Sequence, residues 1–79
     1  MNDFLVAALY YFTPLDDFEE MRDPLKTFCV SQDVRGSILL ASEGINGTIC
    51  GPEAGVRTVL EYLRSDPRLA ELTHKESWT

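Results

Sequence analysis

The order of apolar segments along this chain predicts an α+β fold: a ferredoxin-like βαββαβ two-layer sandwich, with a four-stranded antiparallel sheet and two helices on one of its faces. Three observations carry that prediction. Phe4 to Phe12 is apolar on both parities, as a strand in the middle of a sheet must be. Two later stretches repeat apolar residues at helical spacing. Strand-like runs, punctuated by glycine and proline, fall between and after them.

In the first strand Phe4, Val6, Ala8, Tyr10 and Phe12 share one side, Leu5, Ala7, Leu9 and Tyr11 the other, and Pro14 ends it. Asp16 to Gln32 reads as helix, with Phe18, Met21, Leu25, Phe28 and Cys29 on one face. Asp16, Asp17, Glu19 and Glu20 crowd its first turns. The helix dipole favours exposed carboxylates there by about 0.3–1 kcal/mol each, so the cluster reads as a solvated helix start rather than a metal site. Pro24 removes a backbone hydrogen bond, so either the helix kinks there or one turn ends near Asp23 and a second helix begins at Pro24.

Val34 to Ser42 is the second strand and Thr48 to Cys50 a short third one. Between them Gly44, Asn46 and Gly47 are residue types that tolerate positive φ, and Asn46-Gly47 is the strongest short hairpin signal in the chain. Gly51-Pro52 opens the second helix, with proline suited to the first helical position. Val56, Val59, Leu60 and Leu63 form its apolar stripe, and Glu53 precedes Arg57 at the spacing of a helical ion pair. Asp66-Pro67 stops that helix. Arg68 to Leu72 is a connector with room for one more turn, and Thr73 to Trp78 is the last strand, with His74, Glu76 and Trp78 on one side.

Seventy-nine residues suffice for one domain, and 44% hydrophobic content makes a single core feasible. No apolar run is long enough to span a bilayer, and Phe4 to Leu9 is too short and lacks the basic flank of a signal peptide. The net charge is −6: residues 1–35 carry seven acids against three bases, residues 36–79 six against four. Neither half has a run of cations, which argues against tight binding of nucleic acid by this segment alone. Cys29 and Cys50 lack any metal-knuckle or Cys-x-x-Cys spacing and read as free thiols of a cytoplasmic protein.

Site residues have to decide the function, because this fold hosts many. The candidate binding residues are Glu43, Gly44, Asn46, Gly47 and Thr48: a carboxylate and an amide flank one tight loop whose glycines leave backbone amides open to a ligand. No catalytic residue, metal ligand or cofactor is expected in the chain. An acylphosphatase needs a phosphate-cradling loop between the first strand and first helix, and Phe12 to Asp17 has no glycine, no arginine and two acids. An RNA-recognition sheet places aromatics on its first and third strands; the first has Tyr10, Tyr11 and Phe12, but Thr48-Ile-Cys50 has none, which argues against base stacking. His74 reads as exposed or interfacial, and Trp78 as an edge-strand aromatic that packs on whatever follows.

Leu39-Leu-Ala-Ser-Glu-Gly-Ile-Asn-Gly-Thr48 resembles the amino-terminal domain of the rhodanese-related tRNA uridine hydroxylases, as do Leu9-Tyr-Tyr-Phe-Thr-Pro-Leu15, Pro24-Leu-Lys-Thr-Phe-Cys29 and His74-Lys-Glu-Ser77. The likeness runs from Val6 to Trp78. It implies the acylphosphatase-like form of the ferredoxin-like fold. It also implies that residues 1–79 are an accessory amino-terminal domain of a cytoplasmic, oxygen-dependent tRNA uridine-34 5-hydroxylase, an oxidoreductase of tRNA modification. In that family the catalytic cysteine lies in a rhodanese-like domain that follows, so this segment alone is expected to be inactive. The implied partners are that carboxy-terminal rhodanese-like domain and, through the full-length protein, tRNA, with no membrane.

The alternative is a stand-alone interaction or dimerisation module. Both readings share one expectation. Strand one is apolar on both sides, while strand two puts Ile38 and Leu40 on one side and Leu39 and Ala41 on the other. Two helices cover one face, so the other is expected to self-associate or to dock on the rest of the protein, with Trp78 nearby.

Overall fold

The computed structural model describes residues 4–79. Its central strand β1 (Phe4–Phe12) is flanked on both sides, by β3 (Gly44–Pro52) and β4 (Thr73–Trp78), and β2 (Arg35–Ala41) lies outside β3. The sheet order is β2-β3-β1-β4 with every pair antiparallel, and the helices α1 (Phe18–Ser31) and α2 (Glu53–Arg64) complete the ferredoxin-like α+β arrangement. No helix among the described residues is long and apolar enough to cross a membrane.

Alternation decides which face the helices cover. Leu5, Ala7 and Leu9 of β1, Ile45 and Ile49 of β3 and Leu40 of β2 are buried and share one face by register. They form the core with Val56, Val59, Leu60 and Leu63 of α2, Leu25 of α1 and Leu69 of a short 3-10 turn, Pro67–Leu69. Each medium-sized apolar side chain buried this way contributes about 1.5–3 kcal/mol. The α2 stripe and the α1 face match the sequence pattern, with Phe18, Met21, Phe28 and Cys29 half-buried against the core.

Three boundaries differ from the sequence reading. Helix α1 continues through Pro24, which lies on its exposed side, so of the two alternatives the break near Asp23 is not realised. It starts at Phe18, with Asp17 as its N-cap residue; the Asp17 carboxylate makes no capping hydrogen bond and is held by Arg68 at 2.6 Å instead. Strand β3 begins at Gly44 instead of Thr48 and absorbs Gly51 and Pro52, so Pro52 precedes α2 rather than occupying its first turn.

The uncovered face of the sheet carries Phe4, Tyr10, Phe12 and Leu39, each at least half exposed, at 50, 55, 71 and 70%. Asn46, Thr48, Ser37, Thr73, Arg35 and Lys75 share that face by register, so it is mixed rather than purely apolar. Trp78 does not adjoin it. Trp78 pairs with Leu5, whose side chain is buried under the helices, so it stands on the helix-covered side at the sheet edge.

Candidate functional site

The hairpin between β2 and β3 turns at Ser42-Glu43, with Ala41 opposite Gly44; it does not turn at Asn46-Gly47. Gly44 takes the positive φ, at +150°, where an added Cβ would also collide with the Tyr11 carbonyl oxygen. Gly47 is glycine for a different reason. It is absent from the positive-φ residues, yet its Cβ would strike the Ser37 carbonyl oxygen and lie 2.7 Å from the Ile38 Cα. The requirement is close approach of β2, which no turn rule detects.

The string Glu43 to Thr48 is therefore not an open loop. From Gly44 onward it is paired with β1 on one side and β2 on the other, which commits its backbone groups to the sheet. Asn46 and Thr48 come together on the open face: Asn46 lies between Tyr10 and Leu39, and Thr48 between Ala8 and Ser37. Gly47 faces the helices opposite Leu9, and the Glu43 side chain is exposed at the tip of the hairpin. The five candidates thus divide into a sheet-face pair, a turn carboxylate and two glycines that let the backbones meet.

The hairpin tip has a second role. The Glu43 carbonyl accepts the Thr13 N–H at 3.0 Å and the Ser42 carbonyl accepts the Leu15 N–H at 3.0 Å. Two amides of the link between β1 and α1 are thereby engaged, where an acylphosphatase would offer them to phosphate. Asp17, in the same link, is an acid whose pKa is held low by its hydrogen bond from Arg68.

A network that the sequence did not reveal joins α2 to β4. Arg64 donates to the Leu72 carbonyl and to Nδ1 of His74 at 2.8 Å, and His74 Nε2 meets Glu76 Oε2 at 2.8 Å. An arginine donor at Nδ1 leaves the ring proton on Nε2, facing the carboxylate. Glu76 also accepts from Arg57, which pairs with Glu53 as its spacing suggested. Those contacts hold the Glu76 carboxyl below its usual range, through Arg57 first and His74 second. His74 is thus a tethered strand residue. The recoverable signal was the shared parity of His74 and Glu76; the position of Arg64 beside them was not readable.

Cys29 and Cys50 are free thiols, and burial pushes the Cys29 thiol pKa up, away from nucleophilic reactivity. Among the described residues no group of His, Cys, Asp and Glu is arranged to hold a metal ion. A groove of about 710 Å³ runs between α1 and the edge strand β2, lined by Leu25, Val30, Ile38 and Leu39 together with Arg22, Lys26, Arg35 and one acid, Asp23. The fold gathers there three cations that are dispersed in sequence.

The family model of the UPF0176 acylphosphatase-like domain matches residues 4–79. A tRNA uridine(34) hydroxylase of Albidiferax ferrireducens is 58% identical over all of this chain, and the match covers 25% of that protein. Proteins of the same name from Agrobacterium fabrum and Acaryochloris marina are 57% and 49% identical over 96% and 100% of the chain, covering 24% and 26% of their own lengths. The chain spans about a quarter of the length of these curated relatives. With the sheet order, the double-faced central strand and a match over every described residue, the chain belongs to the UPF0176 acylphosphatase-like domain family.

Proposed function

We propose that this chain is the accessory, non-catalytic domain of an oxygen-dependent tRNA uridine(34) hydroxylase, working in the cytoplasm beside a carboxy-terminal rhodanese-like domain that supplies the reactive cysteine. The observation that carries this reading is the span of the match. The three relatives quoted are named tRNA uridine(34) hydroxylases, and this chain corresponds to about a quarter of each. Local chemistry agrees. The sole histidine is tied between Arg64 and Glu76, the Cys29 thiol is held protonated by burial, and the β1–α1 link has no cradle for phosphate. In this role the domain orients the rest of the protein, with Trp78 on the β4 edge as an anchor, and contributes one wall of the tRNA site. Trp78 is 45% exposed, enough ring surface for an adjoining domain to cover.

The test has two arms. The chain alone should leave tRNA, acyl phosphate and thiosulfate unchanged, while removal of these residues from the parent protein should lower 5-hydroxyuridine in tRNA, read by nucleoside mass spectrometry. Turnover by the chain alone that disappears in Glu43→Ala or Cys50→Ala would overturn the accessory role. A second reading, a self-associating module, is favoured by the exposed Phe4, Phe12 and Leu39 side chains; sedimentation of the chain distinguishes it.

A further inference from the structure

We propose that the open face of the sheet binds a short single-stranded stretch of RNA: Tyr10 and Phe12 stack on bases, Asn46 and Thr48 hydrogen-bond to base edges, and Arg35 and Lys75 meet the phosphates. The choice of RNA rests on the proposed role in tRNA hydroxylation; the chemistry of the surface stands apart from it.

Charge is the first argument. About one residue in six of this chain is Asp or Glu, 13 of 79, yet among the described residues no strand position facing this side carries either one. The two charges at strand positions of the face are Arg35, opposite Cys50 on the edge strand β2 where it also borders the groove beside α1, and Lys75, opposite Ala8. Neither has a carboxylate partner among the described residues; Arg22, Lys26 and Arg64 on the helices likewise have none, while Arg57 and Arg68 are each held by two. An acidic protein that keeps every carboxylate off one strand face, and holds two cations there, has a surface suited to a polyanion.

Stacking is the second argument. The Tyr10 and Phe12 rings sit edge to face, with centroids 5.2 Å apart and planes at 72°, and both are more than half exposed. Bases stack on such rings without regard to sequence. The expectation against stacking came from a third strand without aromatics. That strand is longer than expected, and it places Asn46 directly opposite Tyr10. The Asn46 amide and the Thr48 hydroxyl make no hydrogen bond with the described residues, so both are free to reach the polar edge of a stacked base. A protein occupant fits less well, since the cores of protein interfaces are depleted of lysine and Lys75 stands beside Ala8 on the central strand.

The experiment titrates the chain into 5′-fluorescein-labelled hexauridine at low salt and reads anisotropy, with thermal melts confirming that every variant is folded. Binding should weaken roughly tenfold in Tyr10→Ala. Phe12→Ala, at the more exposed ring, gives the same reading should Tyr10→Ala not fold. Lys75→Gln should flatten the slope of log affinity against log salt by about 0.7. Arg57→Gln, the same change of charge on the helical layer, should leave affinity and slope as they are. The proposal fails if no anisotropy change appears, if folded ring variants bind like the parent chain, or if Arg57→Gln matches Lys75→Gln. It also fails if the chain sediments as a dimer that Phe12→Ala dissociates and that binds no RNA, which makes the face a protein interface. Full tRNA hydroxylation by a parent protein carrying Tyr10→Ala removes this surface and leaves the accessory role standing. Hexauridine binding beside a parent protein that does not modify tRNA does the reverse.

Discussion

Replacing Gly47 by alanine tests how closely β2 must approach β3, the contact that holds Asn46 and Thr48 in register. The added Cβ would overlap the Ser37 carbonyl oxygen and sit 2.7 Å from the Ile38 Cα and 3.1 Å from the Ser37 carbonyl carbon. All three are backbone atoms, so no side chain can swing away and the edge strand itself must shift. Overpacking of that kind costs about 1–3 kcal/mol. Alanine restricts the unfolded chain more than glycine does and returns roughly 0.5–1 kcal/mol. The net expectation is a loss of about 1–2 kcal/mol, or roughly 5–15 °C in Tm for a domain of this size. Urea unfolding followed by far-UV circular dichroism measures it, with an unchanged m-value as the sign that only the folded state has altered. Gly44 and Gly51 set the scale. Gly44→Ala combines a collision at the Tyr11 carbonyl with φ of +150° and should cost more. Gly51→Ala meets its nearest atom, the Asp33 carbonyl oxygen, at 2.8 Å and should cost less. A Gly47→Ala chain as stable as the parent, or more so, refutes the close-approach argument.

Two further predictions concern side chains at the periphery. Glu43→Gln, nearly isosteric at an exposed turn, should leave Tm within a degree or so and lower tRNA modification by the parent protein; equal modification would show that the carboxylate has no part in a site. Hydrogen bonds from Arg68 hold the carboxyls of Asp17 and Asp66 below their ordinary 3.8, and Arg57 and His74 hold Glu76 below 4.5. A depressed carboxyl binds its proton more readily in the unfolded chain. Its contribution is therefore present above the ordinary value and lost as pH falls through the lower folded one. Tm should be level near neutrality and fall below about pH 4, and Arg68→Gln should shallow that fall; an acid limb indifferent to Arg68→Gln would show the pairs to be ornamental.

What the sequence disclosed depended on how local the cause was. The two parities of β1 and the stripe of Val56, Val59, Leu60 and Leu63 were legible because burial repeats with the period of a single element. The hairpin was not, because two glycines with different causes sat in one string. Gly44 answers a backbone angle, and Gly47 answers crowding from a neighbouring strand. Reading both as turn residues moved the turn to Asn46-Gly47, shortened β3 and hid Asn46 from the sheet face. Trp78 was placed correctly on its own strand and on the same side as His74 and Glu76, but expected near the open face, since the register of β4 against Leu5 is a pairing between distant segments. The same holds for Arg64 beside His74 and for Arg68 bridging Asp17 and Asp66.

The docking of the hairpin tip onto Thr13 and Leu15 also bears on the order of assembly. The Thr13–Glu43 bond continues the β1–β3 register one residue past Phe12 and Gly44, so the segment that carries the chain from β1 into α1 acquires these backbone partners only when the hairpin docks on β1. Those two amides therefore report on a distant event: their protons should exchange with solvent at the rate at which the hairpin opens, not at the rate at which α1 frays. Any insertion that lengthened the Ser42-Glu43 turn would free the entry to the first helix, and the two halves of the chain would lose a cooperative link while keeping every side chain of the core.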